Sequence, residues 1–503
     1  MTVDAIRSRL EAMHAELGRE YYETRAGLRS ESRLAAILDR HRDLASPEAL
    51  AAVEARRAAA AGDPEEERRL RLLAEAIAGN VEDFRLREVG DRLNDLEASL
   101  AMDVDGEKVP YRELPGRIRR TADRERRRAA HRALVAAMAG PLRPLHRERI
   151  RIARQVAADL GHADYADFVA RTSGIDLEGL GKAVNPILER TTARLTELLS
   201  AALRRATGLP LAAAESHDIV AVFRAPQLDA VFPAGGEVDL ARATVERGLG
   251  LDLTASGRIH LDLEPRPAKS PRAFCASVRV PEEVYLVTKP AGGVADYGSF
   301  FHELGHALHF AHTDPEHPVE YRRLGDNSVT EGYAVLMDGI LRERAWAERH
   351  LGRDLEAYLA HAVLHDLWVY RRYAAKLAYE LELWRAPAAA MAGEDDDALA
   401  GRYAAHLGAV APVPVDRERH LADLDLHFYA ARYLRAWLLA AILRSHLRAD
   451  FGDAWFDSRR AGRFLRELWS YGQKLDAVEI ARELGEDGLT ADPLLEEVDE
   501  LAT

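Results

Sequence analysis

The stretch SFFHELGHALHF, Ser299–Phe310, sets two histidines four residues apart with a glutamate directly after the first. Four residues advance an α-helix by ~400°, so His302 and His306 share one face, ~40° apart and one turn from each other. Two imidazoles placed in that way can bind one zinc ion. Glu303 sits ~100° round the helix, close enough to act as general base on water at the metal without crowding the ligands. The competing reading is a chance match. Against it stand Phe300, Phe301, Leu304, Ala307 and Leu308, which mark a buried helix. A buried His-Glu-His triplet with no metal to satisfy it would cost free energy. Upstream, Gly292 and Gly293 make a turn, and Asp296 or Ser299 is the expected helix cap.

A catalytic zinc takes three protein ligands and keeps one position open. His312, six residues after His306, has the spacing of a third-histidine motif, but that motif turns at a glycine where this chain has His309. Without the turn His312 lies ~240° from His306, off the metal face. Glu331, 25 residues after His306, is the stronger candidate. The loop TDPEHP ends the first helix, and a second helix from about Ser328, through TEGYAVLMDGILRERAW, packs antiparallel and returns Glu331 to the metal. Ser328 to Glu331 also reads as a capping box, a role that one carboxylate does not easily combine with ligation. Asp338, two turns further, is placed either to orient a ligating histidine from behind or as an ordinary acid at the core edge.

Around this site lies a long chain of 503 residues, 48% hydrophobic and 30% charged, with net charge −14 and pI about 5.8. That length suggests several domains or one large two-lobed unit. The acidic balance argues against nucleic acid or an anionic membrane as partner. One cysteine, Cys275, excludes an internal disulfide and fits a reducing compartment. The N-terminal MTVDAIRSRLEAMHAEL has no apolar core of a signal peptide, and no stretch reaches the ~18 apolar residues of a membrane span. A soluble, cytoplasmic protein is expected.

Residues 1–200 read as a helical lobe, with Ser46-Pro47 and Asp63-Pro64 as helix starts. Residues 201–503 read as the lobe that carries the metal. A small sheet is expected over about 219–290, from IVAVF (Ile219–Phe223), RIHLDLE (Arg258–Glu264), AFCASVRV (Ala273–Val280) and EVYLVT (Glu283–Thr288). The metal helices follow at about 296–345, and further helices run to the end. The acidic AGEDDDALAG (Ala392–Gly401) is expected to be a solvated loop or helix start.

The chain resembles the thimet oligopeptidase and oligoendopeptidase F family of zinc peptidases. FHELGHALH, Phe301–His309, is similar to that family's zinc helix, and Glu331 stands where the family has its ligating glutamate. ARQVAADLGHADYADFVA (Ala153–Ala170), HFYAARYLRAW (His427–Trp437) and YGQKLDAVEIARELGEDGLTADP (Tyr471–Pro493) resemble further family segments, so the likeness runs from about Arg151 to the end. It implies a mainly α, elongated, two-lobed metallopeptidase with a deep central channel and one small sheet near a single zinc ion. The implied function is hydrolysis of short oligopeptides, with Glu303 activating water. PRAFCASV (Pro271–Val278) resembles the segment that pairs with extended substrate, which brings in Ala273, Phe274 and Cys275. Cys275 itself reads as a small buried residue rather than a redox centre. His427, Tyr429 and Tyr433 match histidine and tyrosine positions associated with the oxyanion. Arg435 and Trp437 stand where the family carries further tyrosines, and Arg435 or Arg432 is a possible cationic replacement. Two alternatives use the same scaffold: an exopeptidase, and a zinc-retaining peptide-binding protein without turnover.

Overall fold

Ser46 and Asp63 cap the helices they precede. Ser46 Oγ accepts the Ala49 N–H at 3.1 Å, and Asp63 Oδ1 accepts those of Glu65 and Glu66 at 3.2 and 3.1 Å. The computed structural model describes residues 1–351, 355–386 and 395–500. Among these the chain is mainly helical, with two small sheets.

The larger sheet contains three strands, β3 (Ile259–Asp262), β4 (Phe274–Arg279) and β5 (Glu283–Val287), in the order β3-β5-β4. β3 runs parallel to β5 and β4 antiparallel to it. β5 is buried on both faces at Glu283, Val284, Leu286 and Val287, as befits a central strand. β4 alternates buried and part-exposed residues and forms an edge. Of the four expected strands, Ile219–Phe223 is not one. It lies in the helix Ser216–Arg224. Glu215 and Asp218 close a capping box at its start, and Ile219 and Val222, three apart, form its buried stripe. The β-branched run suits a strand by propensity, but the capping acids decide for the helix.

A second sheet lies within the stretch that reads as wholly helical. β1 (Ala101–Val104) pairs antiparallel with β2 (Glu107–Pro110). Between them Asp105 and Gly106 both have positive φ, 56° and 86°, the Asp-Gly arrangement of a tight primed hairpin. In the acidic run, residues 392–394 lie outside the described residues, and the helix Asp395–Val410 begins directly after them. Asp396 is not solvated. It is buried, paired with Arg143 and Arg147 and 3.0 Å from His420 Nε2.

The chain divides into two compact units. The first consists of residues 1–81, 226–359 and 435–503, the second of 82–225 and 360–434. Both draw on sequence from either side of residue 200. Within the first unit the N-terminal helix Val3–Arg25 packs across β4. Gly18 permits this approach: a Cβ there would lie 2.7 Å from the Ser277 carbonyl oxygen. Tyr22 stacks on Tyr285 at 3.7 Å, and Arg19 reaches Glu283 at 2.6 Å.

Candidate metal centre

The histidine helix runs from Val294 to His312. Gly293 precedes it with φ 89° and no side-chain cap. Asp296 instead folds back, its carboxylate accepting the N–H groups of Ala291 and Gly292 at 2.9 and 3.0 Å, and Ser299 lies inside the helix. The partner helix, Asn327–Gly339, is capped by Asp326, which accepts the Ser328 N–H at 3.0 Å. The capping box suggested by Ser328 and Glu331 therefore does not form.

The two helices run antiparallel. His302 meets Asp338, Gly305 meets Ala334 and His306 meets Thr330. At Gly305 the backbones come so close that a Cβ would lie 2.6 Å from Ala334 Cα. This packing sets the Glu331 carboxylate between the imidazoles, its Oε2 3.3 Å from His302 Nε2 and 3.7 Å from His306 Nε2. One donor atom from each of the three residues lies within 4.8 Å of the others. Three ligands, each ~2.0–2.1 Å from a tetrahedral ion, are separated by ~3.4 Å, so the donor set matches a divalent metal in both spacing and chemistry. Among the described residues this is the one such group.

The outer nitrogens of both rings are held. Asp338 Oδ2 lies 3.0 Å from His302 Nδ1 and Thr330 Oγ1 lies 2.8 Å from His306 Nδ1, which leaves each Nε2 for the metal. Arg342 holds the other oxygen of Asp338. Burial disfavours charge on His302, but Asp338 and Glu331 outweigh it and raise the imidazole to about 10. The cluster is thus electrostatically suited to a cation. His306, where burial prevails, is lowered to about 4.

Glu303 points to β4. Its Oε2 accepts the Cys275 N–H at 2.8 Å, and burial pushes its carboxyl up to about 7. Cys275 therefore meets the site through its backbone. Its thiol is pushed far up by burial and then by Glu303, which makes it a poor nucleophile and fits a structural role. Ala273 and Phe274 are buried beside it.

Several sequence candidates fall elsewhere. His309 is buried, with Nε2 3.1 Å from the Gly472 carbonyl oxygen. His312, at the end of the helix, has Nδ1 2.8 Å from the Leu308 carbonyl oxygen and its ring against Trp469. Arg435, only 7% exposed, spends its guanidinium on Asp326 at 2.6 Å and Ser328 Oγ at 3.3 Å. It thus ties down the start of the helix that bears Glu331.

His427, Tyr429 and Tyr433 belong to the second unit. His427 precedes the helix Tyr429–Phe451, in a left-handed conformation with φ 56°. Its N–H donates to the Tyr165 hydroxyl at 3.0 Å, and its Nε2 lies 3.4 Å from Glu82 Oε2. Burial, then Arg432, lowers its imidazole to about 4. Tyr433 meets Tyr429 and Tyr373 edge to face, at 4.9 and 5.6 Å.

Two residues, one in the site and one bordering β4, escape a sequence reading. Thr330 orients His306, and its only signal is its place beside Glu331. Tyr21, on the N-terminal helix, is 41% exposed, meets Phe274 edge-on at 5.4 Å and feels the charge of Glu303. Nothing local in the sequence connects it to a site 282 residues away.

The fold is shared with known structures. One is a Bacillus anthracis protein assigned as an oligoendopeptidase F, with TM-score 0.70 at 14% identity over 98% of this chain and 88% of that one. Another is PZ peptidase A solved with an inhibitor, with TM-score 0.70 at 14% identity over 98% and 90%. A third is a Chlamydophila abortus protein assigned as a peptidase, with TM-score 0.66 at 14% identity over 99% and 90%. No family model matches the sequence, and no curated protein matches it. The fold is that of the group the zinc-helix resemblance points to. No helix among the described residues is long and apolar enough to cross a membrane.

Proposed function

We propose that this chain is a zinc-dependent peptidase acting on short oligopeptides. The observation that carries the reading is the His302–His306–Glu331 cluster with the Glu303 carboxylate beside it, hydrogen-bonded to the edge of β4. The structural likeness to proteins described as an oligoendopeptidase F and a PZ peptidase supports it.

His302, His306 and Glu331 hold the metal. Zinc bound there supplies a Lewis acid for the scissile carbonyl and lowers the pKa of water. Glu303 takes the proton from the attacking water and delivers it to the leaving amine. Burial raises the Glu303 carboxyl, which favours its uptake of the proton. The Cys275 N–H steadies Glu303 against β4, and the segment Ala273 to Cys275 at the start of that strand is assigned to an extended peptide by the family resemblance. His427 and Tyr433 are assigned the oxyanion role by the family resemblance. Tyr429 is assigned to the substrate on the same ground.

The test is cleavage of a mixed peptide library, read by mass spectrometry, with zinc content measured on the same samples. Wild type is expected to make internal cuts. Glu303→Gln is expected to keep its zinc and lose at least ~10²-fold in rate. Trimming from one end only would make the protein an exopeptidase. Bound zinc without cleavage would make it a peptide-binding protein. Absence of zinc from wild type would overturn the reading. His427→Ala and Tyr433→Phe test the oxyanion assignment, which requires a fall in kcat with zinc content unchanged.

A further inference from the structure

The last turn of the histidine helix borders a second feature. An open cavity of about 520 Å³ is lined by Arg258, His312, Arg463, Arg466, Glu467 and Ser470. Three of the six are arginines, in a protein of net charge −14. His312 follows His306 by six residues, ~9 Å further along the helix axis, so the cavity is separate from the metal cluster.

Its construction follows from the helix Arg459–Ser470, RRAGRFLRELWS. Ala461, Gly462, Leu465, Leu468 and Trp469 form the buried stripe. Arg463 and Arg466, three residues apart, are left side by side on the exposed face. Neither forms an ion pair or hydrogen bond among the described residues. Arg258, at the entrance to β3, is fixed in place: its Nη1 donates to the Ala311 carbonyl oxygen at 3.0 Å. Two acids stand nearby. Glu467 lines the cavity. Asp252 lies close to His312, but its carboxylate already accepts the N–H groups of Thr254 and Ser256 and the Thr254 hydroxyl. The cations therefore outnumber the acids available to them. Among the described residues no hydrophobic side chain lines the space.

We infer that this cavity binds a phosphate-bearing small molecule, held by the guanidinium groups of Arg258, Arg463 and Arg466 with His312 beside them. Guanidinium forks match phosphate oxygens in pairs, and such charge-assisted bonds are about twice as strong as neutral ones. Several like charges facing one cavity repel one another, and a dianion removes that repulsion. The volume exceeds what inorganic phosphate fills and suits a phosphorylated sugar or nucleoside.

The site is tested by isothermal titration of the metal-free full chain with inorganic phosphate, with glucose 6-phosphate, and with citrate as a carboxylate comparison. Glucose 6-phosphate is expected to bind saturably at one site per chain, more tightly than inorganic phosphate and than citrate. The exposed double variant Arg463→Ala/Arg466→Ala is expected to weaken binding at least ~10-fold, with thermal stability unchanged. Arg463→Lys/Arg466→Lys keeps the charge and loses the fork, and is expected to fall between. Binding that is absent in wild type, unchanged in the alanine variant, or no tighter for glucose 6-phosphate than for citrate overturns the assignment. None of these readouts depends on peptidase activity, so the cavity and the metal centre succeed or fail separately.

Discussion

Asp338 shows how a single residue two turns along the partner helix enters the chemistry of the site. Its carboxylate accepts from His302 Nδ1 and is itself held by Arg342, so the imidazole can present only Nε2 inward. Asp338→Asn keeps the shape and removes the charge. It is expected to weaken zinc binding by ~10–100-fold, measured by competition with a chelator. An unchanged affinity would reduce Asp338 to a structural acid. At this scale His302, Glu303 and His306 were legible because helical period alone places them on adjacent faces. Thr330 was hidden because a threonine beside a ligand carries no pattern of its own. Arg435 shows a related limit of local pattern. Its position in a tyrosine-rich stretch suggests substrate, whereas the folded chain directs it to Asp326 and Ser328.

Among the elements, the antiparallel pair of helices decides whether a site exists. Their closest approach is at Gly305, where an added Cβ would meet Ala334 Cα at 2.6 Å and the Tyr333 carbonyl oxygen at 2.8 Å. Both obstacles are backbone, so the helices must separate to admit a methyl group. Gly305→Ala is expected to cost ~1–3 kcal/mol in chemical denaturation and to lower zinc occupancy, because Glu331 retreats from the imidazoles. Wild-type stability and zinc content in the variant would show that the interface yields elsewhere. The strand β3 was legible from alternation and β4 and β5 from their apolar, β-branched runs, and the helix Ser216–Arg224 was not. β-branched residues mimic a strand there, and the evidence for a helix lies in the acids Glu215 and Asp218 just before and within it. The β1–β2 hairpin announces itself only through Asp105-Gly106, two residues within a long helical context.

The whole molecule carries buried acids whose effect is felt in its stability. Glu82 is fully buried, its Oε1 accepts the Tyr165 hydroxyl at 2.7 Å, and burial pushes its carboxyl up to about 8. Glu380 is raised to about 8 by the same cause. In the unfolded chain each ionises near ~4.3. The folded value is the higher, so the folded state binds more protons between the two, and stability falls as pH rises from ~4.3 through about 8. Thermal denaturation between pH 5 and pH 9 is expected to show this decline, amounting to a few kcal/mol at order of magnitude. Glu82→Gln is expected to flatten it. An equally steep decline in the variant would assign the effect to other groups. Chain order does not set the boundaries of the compact units either. The N-terminal helix belongs with the metal helices, because Gly18, Arg19 and Tyr22 fit the face and edge of the small sheet.

By itself the sequence determined the mainly helical class and singled out the helix of His302, Glu303 and His306, with Glu331 25 residues on, as a candidate metal site. Each of these depends on local period or spacing, which the backbone imposes on any chain. Only the tertiary structure decided that Glu331 reaches both imidazoles, that Glu303 is fastened to β4, that Tyr21 packs on Phe274 and that Arg258 shares a cavity with Arg463 and Arg466. Those outcomes depend on close packing between segments far apart in sequence, where a glycine or a buried ion pair chooses the neighbour and no local pattern records the choice.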